Sequence, residues 1–326
     1  MTTHEKLRVA HFSFANSKYD AEAKASPVER LDAIYSFFAW ARATQIMVVG
    51  ATEAHRASNG MDWPRVLDHI ERTYGYRCGG EALSGDRSER AFSDVLFIDV
   101  AIAKDYVFGV KALTPPELEE TQWAVRCPTM HHYRDTDLNL VYCHLSLSRD
   151  GRGDTYTHLL HELRKLATLV SEGWVAFGDF NLTHECRARL FGEERALMAS
   201  LNFQFGGADR DVSFTTFPHD RIPLSAFKHC PDNVLHVFDD GLTANGLSAL
   251  DAICGGGDGD DGHTVTSISR HLPYRDFREM PCTWRVDEVV KFISQEGMPP
   301  VCDWVSDHWI LCFDITHCGG GGGGEV

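Results

Sequence analysis

The feature that most restricts the fold of this chain is an amphipathic helix that leads directly into an apolar strand. Tyr156–Glu172 carries leucines such as Leu159 and Leu163 at helical spacing, and Gly173 ends the helix. The apolar run Trp174–Phe177 follows at once. A helix with one apolar face beside an apolar strand buries both surfaces by packing on a sheet. The chain is therefore predicted to be a layered α/β protein.

Helices and strands alternate in the front half of the chain, and strands dominate the back half. Further strands are predicted at Leu7–Phe14, Ile46–Thr52, Ala91–Ala103, Leu138–Leu147, Phe214–Phe217, Asn233–Phe238 and Trp309–Ile315. Further helices are predicted from Ser26, at Asp62–Gly75 and near Arg187–Ser200. Without a repeat or a linker that divides the chain, residues 1–317 are predicted to form a single domain. Residues 318–326 are predicted to be a disordered Gly-rich tail, and residues 255–262 a flexible surface insertion.

The amino-acid composition restricts the cellular compartment and the binding partners that we expect. The 326 residues are 43% hydrophobic, which is enough for a sizeable core, and no run of about 18 apolar residues predicts a membrane span. The start lacks the apolar segment of a signal peptide, and the ten cysteines form no CxxC pair. We therefore expect an intracellular protein, cytoplasmic or nuclear. A net charge of −16 argues against a broad electrostatic grip on nucleic acid, although a local basic groove remains compatible with it.

Polar side chains stand beside several of the predicted apolar strands. These residues are Glu53, His144, Asp179 with Asn181, Asp232, and Asp307 with His308. Carboxylates and imidazoles next to apolar strands are costly to desolvate unless they are paired or bound to a cation. Five such sets in one chain predict a shared site at one edge of a sheet core.

These residue types suit metal-assisted phosphoester hydrolysis. Carboxylates such as Glu53 suit a hard cation such as Mg²⁺. Asp179 can orient or deprotonate an attacking water. On an extended chain Asn181 points to the same side as Asp179, and its amide can donate to a phosphoryl oxygen. A histidine held by an acid can transfer a proton, and Asp232 with His308 is a candidate pair.

The order of these pieces resembles the endonuclease/exonuclease/phosphatase superfamily, which has the deoxyribonuclease I-like fold. The matching pieces are Ala51–Glu53, His144–Leu145, Gly178–Asn181, Asp232–Val234 and Ser306–His308. The resemblance implies a four-layer α/β/β/α sandwich of two packed mixed β-sheets flanked by helices. It also implies a site at one end of the two sheets and dependence on Mg²⁺ or Mn²⁺.

The resemblance further implies a role for each matching residue. Glu53 and Asp307 are the implied metal ligands. Asp179 is implied to activate the water, and Asn181 to contact the phosphate and assist catalysis.

The resemblance also implies roles for two histidines and one aspartate. His308 is implied to contact the phosphate, with Asp232 orienting it. His144 corresponds to a histidine that acts in parts of the superfamily as a general acid or phosphate ligand.

The superfamily's asparagine at the end of the first strand has no direct counterpart here. Ser13 stands at the ungapped position, and Asn16 lies three residues later. Either a small insertion lets Asn16 reach the phosphate, or Ser13 replaces the amide.

Local explanations remain open for most of these residues. The alternatives are an Asx turn at Asp179–Asn181, an ion pair of Glu53 with Arg56, a satisfied core histidine at His144, and ion pairs of Asp232 with Lys228 or Arg221.

Three functional hypotheses follow. The first is a Mg²⁺-dependent phosphodiesterase or nuclease on nucleic acid, and GDFNL with SDHWIL somewhat resembles the 5′-tyrosyl-DNA phosphodiesterase branch. The second is hydrolysis of a small or lipid phosphoester such as an inositol phosphate. The third is a non-catalytic binding protein. Loops at 104–136, 203–231 and 240–300 are expected to select the substrate.

Overall fold

The chain is built from short strands and from helices of seven to nineteen residues. A computed structural model describes residues 6–14, 27–52, 54, 62–84, 92–114, 125–133, 138–146, 153–182, 184–201, 203–204, 251–254, 263–271, 276–280 and 310–317. The strands are β1 (Lys6–Ser13), β2 (Val48–Thr52), β3 (Tyr76–Ser84), β4 (Phe92–Asp99), β5 (Tyr106–Ala112), β6 (Arg126–His132), β7 (Asn139–His144), β8 (Trp174–Asp179), β9 (Phe203–Gln204), β10 (Asp251–Cys254), β11 (His263–His271), β12 (Glu279–Met280) and β13 (Ile310–His317). The helices are α1 (Pro27–Ala43), α2 (Trp63–Tyr74), α3 (Gly153–Ser171), α4 (His184–Glu193) and α5 (Arg195–Leu201), with a 3-10 turn at Ala103–Asp105.

The strands form two mixed sheets. The first has the order β12-β11-β13-β1-β2-β4-β3, and the second has the order β5-β6-β7-β8-β10-β9. The pairs β1–β2 and β7–β8 are parallel, whereas the other described pairs are antiparallel. The parallel pairs need crossover connections, which α1 and α3 supply.

Three apolar clusters divide the molecule into layers. Helices α1 and α2 pack on the outer face of the first sheet, where Phe37 stacks on Phe12 with 3.9 Å between ring centroids. Helices α3, α4 and α5 cover the outer face of the second sheet through residues such as Leu163. The third cluster fills the space between the sheets and includes Tyr142 and Phe177. The predicted four-layer α/β/β/α sandwich is therefore confirmed.

Helix ends follow the local signals in the sequence. The Asp62 side chain accepts from the Arg65 amide at the start of α2, and Gly75 ends the helix in the left-handed conformation with φ 76°. Gly173, with φ 88°, separates α3 from β8. No helix within the described residues is long and apolar enough to cross a membrane.

Several predicted elements differ from the structure. The helix predicted near Arg187–Ser200 is two helices, α4 and α5, interrupted at Glu194. The presumed loop 104–136 contains β5 and β6, and the presumed loop 240–300 contains β10, β11 and β12. The strands predicted at 214–217 and 233–238 lie outside the described residues, as do 255–262 and the tail 318–326.

The two sheets approach closely at Gly50. A Cβ atom there would overlap the Tyr142 ring and lie 2.8 Å from Phe177 Cε2. The Tyr142 hydroxyl is hydrogen-bonded to His11 Nδ1 at 2.7 Å, so the ring joins one sheet to the other. Glycine at this position lets Tyr142 lie flat between the sheets.

We predict that Gly50→Ala destabilises the fold by about 1–3 kcal/mol, because the added methyl group forces the Tyr142 ring away from its place. Denaturant unfolding monitored by circular dichroism measures the change. Gly192→Ala in α4 is the matched control, because a Cβ atom there meets nothing within 4 Å. The control should keep or raise stability, by up to about 1 kcal/mol. Equal unfolding midpoints for Gly50→Ala and the unmodified chain would contradict the close inter-sheet contact.

Candidate active site

Polar side chains gather at one end of the layer between the two sheets. Tyr142 on β7 and Phe177 on β8 belong to the inter-sheet cluster, and a polar residue follows each of them two positions later. Because strand side chains alternate between faces, these polar residues point into the same layer. The buried polar residues at this end are Ser13 on β1, Thr52 on β2, Asp94 on β4, His144 on β7 and Asp179 on β8.

His144 lies between two carboxylates. Its Nδ1 is 3.1 Å from Asp94 Oδ1, and its Nε2 is 3.8 Å from Asp179 Oδ2. Asp94 is fully buried and belongs to the first sheet, so this contact spans the two sheets. Asp94 is within hydrogen-bond distance of the ring, while the Asp179 carboxylate faces the other ring nitrogen and attracts it when the imidazole is protonated. His144 is therefore positioned by acids, as proton-transfer chemistry requires.

The chain leaves the strand conformation directly after Asp179. Asp179 Oδ1 accepts a hydrogen bond from the Asn181 amide at 2.8 Å, which is the geometry of an Asx turn, and Asn181 has φ 49°. The prediction that Asn181 continues an extended chain is therefore wrong. The turn replaces the strand because asparagine tolerates the left-handed conformation. The local explanation of this motif, an Asx turn, is therefore confirmed, and the same Asp179 side chain also lies 3.8 Å from His144.

The segment after β7 is tied to the turn and to α3. The Leu145 amide donates to the Asp179 carbonyl at 2.9 Å, and Asn181 Nδ2 donates to the Leu145 carbonyl at 2.7 Å. The Ser146 amide and hydroxyl donate to the two carboxylate oxygens of Glu162, at 2.9 and 2.6 Å. Burial raises the pKa of the Glu162 carboxyl to about 7, although the two Ser146 hydrogen bonds oppose this shift.

Gly178 allows β8 to approach β7 at the site. Its φ is 135°, a conformation that other residues rarely adopt, and a Cβ atom would overlap the Cys143 carbonyl oxygen. The glycine of the Gly-Asp-Phe-Asn motif therefore brings Asp179 beside His144, its partner in the parallel register.

Ser13 occupies the end of β1 at this edge. It is paired with Thr52 on β2 and is buried. The Thr52 hydroxyl is also buried and has no hydrogen-bond partner within the described ranges. The structure thus puts Ser13 in the polar cluster, whereas Asn16 lies outside the described residues.

The remaining predicted site residues also lie outside the described part of the chain; they are Glu53, Asp232, Asp307 and His308. Two of the strands next to them reach the polar edge. Thr52 ends β2 at this edge and directly precedes Glu53. Strand β13 begins at Ile310, the residue before Leu311, and Leu311 is paired with His11 on β1.

Two acids at this edge were not identified from the sequence. Asp94 lies near the beginning of β4, and Asp251 at the beginning of β10 is paired with Asp179 across the antiparallel β8–β10 ladder. Both strands run antiparallel to their neighbours β2 and β8, so their first residues, rather than their last, lie at the site. The sequence feature that could have indicated these site residues is an acid near the start of an apolar strand, as in Ser93-Asp94-Val95.

Comparison with known proteins identifies the fold. No protein-family model and no curated protein matches the chain. It is similar to ANGEL2, a 2′,3′-cyclic phosphatase solved in complex with adenosine-2′,3′-vanadate, with TM-score 0.56, 12% identity and 96% of each chain covered. An endonuclease/exonuclease/phosphatase from Beutenbergia cavernae gives TM-score 0.55 and 13% identity over 96% of this chain and 72% of that chain. Truncated TDP2 from Caenorhabditis elegans gives TM-score 0.51 and 11% identity over 95% and 97%.

These similarities extend over nearly the whole chain and agree with the two packed mixed sheets and their flanking helices. At 11–13% identity, they concern the backbone architecture. The chain therefore has the fold of the endonuclease/exonuclease/phosphatase structures.

Proposed function

We propose that this chain is a divalent-metal-dependent phosphoester hydrolase that acts on nucleic acid as a phosphodiesterase or nuclease. The observation that carries the proposal is His144 held between Asp94 and Asp179 at one end of the inter-sheet layer. A buried imidazole between two acids, beside a strand-end turn, has the parts needed to move protons.

In the proposed reaction Asp179 is the base. It takes a proton from a water whose oxygen attacks the phosphorus, and the bond from phosphorus to the leaving oxygen breaks. His144 gives a proton to that leaving oxygen, while Asp94 holds the imidazole ring. Asn181 has a second amide hydrogen beyond the one given to Leu145, and this hydrogen can donate to a phosphoryl oxygen.

Further residues, some of them outside the described ranges, complete the proposed site. His308, oriented by Asp232, contacts the phosphate. Ser13 or Asn16 provides the contact made by the first-strand asparagine of the superfamily. Asp251, which is paired with Asp179 in the β8–β10 ladder, is a second candidate for the orienting acid.

The site suits a hard cation. Its donors are carboxylate and hydroxyl oxygens, and Asp94 Oδ2 and Thr52 Oγ1 are buried without a hydrogen-bond partner within the described part of the chain. The described residues alone contain no group of three metal-ligating side chains, so the proposed ligands are Glu53 and Asp307. Bound Mg²⁺ or Mn²⁺ would neutralise phosphate charge and stabilise the leaving oxygen.

Two observations bear on the substrate. ANGEL2, with the same fold, was solved with a nucleotide-derived vanadate, which favours a nucleic-acid substrate. The net charge of −16 favours the alternative, a small or lipid phosphoester such as an inositol phosphate, because an acidic protein attracts a long polyanion poorly.

A substrate panel separates these alternatives. We expect cleavage of at least one nucleic acid among single- and double-stranded DNA, RNA, a 5′-phosphotyrosyl oligonucleotide and RNA with a 2′,3′-cyclic phosphate end. Cleavage should require Mg²⁺ or Mn²⁺ and stop with EDTA. Turnover of inositol polyphosphates alone would establish the alternative. Absence of turnover across the panel would contradict hydrolysis and favour a binding protein.

We predict that Asp179→Asn lowers kcat by about 10²–10⁴-fold, because the amide keeps an oxygen for the Asx turn but cannot accept the proton. Thermal unfolding should stay close to that of the unmodified chain. Asp314→Asn is the matched control, because Asp314 is equally buried but pairs with Arg8 and Lys6 on β1. The control should lose stability and keep its rate. Normal turnover by Asp179→Asn would rule out its role as the base.

Asp94 should act only through His144. We predict that His144→Gln lowers kcat by about 10²–10⁴-fold and that Asp94→Asn causes a smaller loss. The double variant should be no slower than His144→Gln alone, because a residue that acts through another has no effect once that residue is gone. Additive losses in kcat would show instead that Asp94 contributes independently of the imidazole.

A further inference from the structure

A buried carboxylate beside the site has no part in the proposed reaction. Glu162 lies on α3 and is 1% exposed, although α3 otherwise faces the second sheet with leucines such as Leu159 and Leu163. Carboxylates are rarely buried in this way unless specific hydrogen bonds compensate for the lost hydration. Both oxygens of Glu162 accept hydrogen bonds from one residue, Ser146, two positions beyond His144.

We propose that Glu162 is a positioning residue that holds the segment Leu145–Ser146 and, through it, the Asn181 amide and the Asp179 turn. The catalytic meaning of this inference rests on the proposed function. The structural part stands on the contacts alone.

The contacts form a continuous path from helix to site. Glu162 fixes the amide and the hydroxyl of Ser146. The peptide unit before Ser146 carries the Leu145 carbonyl, which accepts from Asn181 Nδ2 at 2.7 Å. The Leu145 amide donates to the Asp179 carbonyl at 2.9 Å. Movement of Ser146 therefore moves the peptide group whose carbonyl is bonded to Asn181 and, through Leu145, the preceding peptide group whose amide is bonded to Asp179.

A merely space-filling role would not need an acid here. A buried charged or polar group is often less stabilising than an apolar residue of similar size, because its desolvation opposes folding. Ser146 lies beyond the end of β7, and its amide donates to a carboxylate oxygen of Glu162. The arrangement therefore specifies the path of the chain as it leaves the site.

The charge of Glu162 also changes near neutral pH. Burial raises the pKa of its carboxyl to about 7, while the Ser146 hydrogen bonds and the charge of His144 lower it. Among the described residues, the Cys127 thiol on β6 also interacts electrostatically with Glu162, and burial raises the pKa of that thiol. A pKa raised from 4.5 means that the folded state binds this proton more tightly than the unfolded chain. The resulting stabilisation is complete below pH 4.5 and is lost as pH rises through about 7.

Three variants test the inference. Glu162→Gln keeps an accepting oxygen for Ser146 and removes the titration, whereas Glu162→Ala removes both oxygens. Ser146→Ala removes only the hydroxyl partner and serves if Glu162→Ala does not fold. Glu172→Gln, an exposed position just beyond α3, is the matched control.

The first readout is the Asn181 side-chain amide in ¹⁵N NMR, which does not depend on activity. Its chemical shift should be kept in Glu162→Gln, should change in Glu162→Ala, and should change less in Ser146→Ala, which keeps the hydrogen bond from the Ser146 amide. The second readout is stability against pH. Relative to the unmodified chain, the folding equilibrium constant of Glu162→Gln should rise by roughly 200-fold between pH 4 and pH 8, from the pKa difference between 4.5 and about 7.

The third readout is turnover of the substrate found in the panel. Glu162→Ala should lower kcat by about tenfold to 100-fold with little change in KM, and Glu162→Gln should restore most of the rate. An unchanged Asn181 amide signal in Glu162→Ala, with unchanged kcat, would overturn the inference. If the unmodified chain turns over no substrate, the proposed function fails, and the NMR and stability readouts still decide the role of Glu162.

Discussion

The parallel pairing of β7 with β8 is the constraint on which the rest of the site depends. Its register sets His144 opposite Asp179 and turns both side chains into the layer between the sheets. A slip of one residue would turn one of the two strands outward, because side chains alternate along a strand. Gly178 permits the close approach of the strands, and Glu162 fixes the chain just beyond them. The contact of His144 with Asp179 and the bonds of Leu145 with Asp179 and Asn181 presuppose this register.

Much of the fold could be predicted because its strongest signals are local. The leucine spacing of α3, the glycine after it and the apolar run of β8 each follow from a few neighbouring residues. Strand β3 could not be predicted in this way, since Gly79 and Gly80 weaken the strand pattern. Gly79 is accommodated because the Phe108 ring of β5 occupies the space that a side chain would need, and this contact comes from the other sheet.

The same distinction between local and distant information applies to the site. His144 and Asp179 were found because they end parallel strands, where a polar residue after an apolar run is visible in the sequence. Asp94 was missed because β4 runs the other way and reaches the site with its beginning. Glu162 resembles any acid on an amphipathic helix until the position of Ser146 is known. The direction in which a strand runs and the residue that a helix side chain contacts are fixed only when the layers assemble, so neither can be read from neighbouring residues.

The Asx turn after β8 makes the side-chain length of Asp179 part of the backbone structure. Its carboxylate closes a small ring of atoms with the Asn181 amide, and this ring sets where the chain leaves the strand. Glutamate carries the same charge but has one more methylene group, so it cannot close that ring in the same geometry. At this position an acid of the right charge is not sufficient. The proposed chemistry and the end of the strand depend on one side chain, and any replacement has to meet both requirements at once.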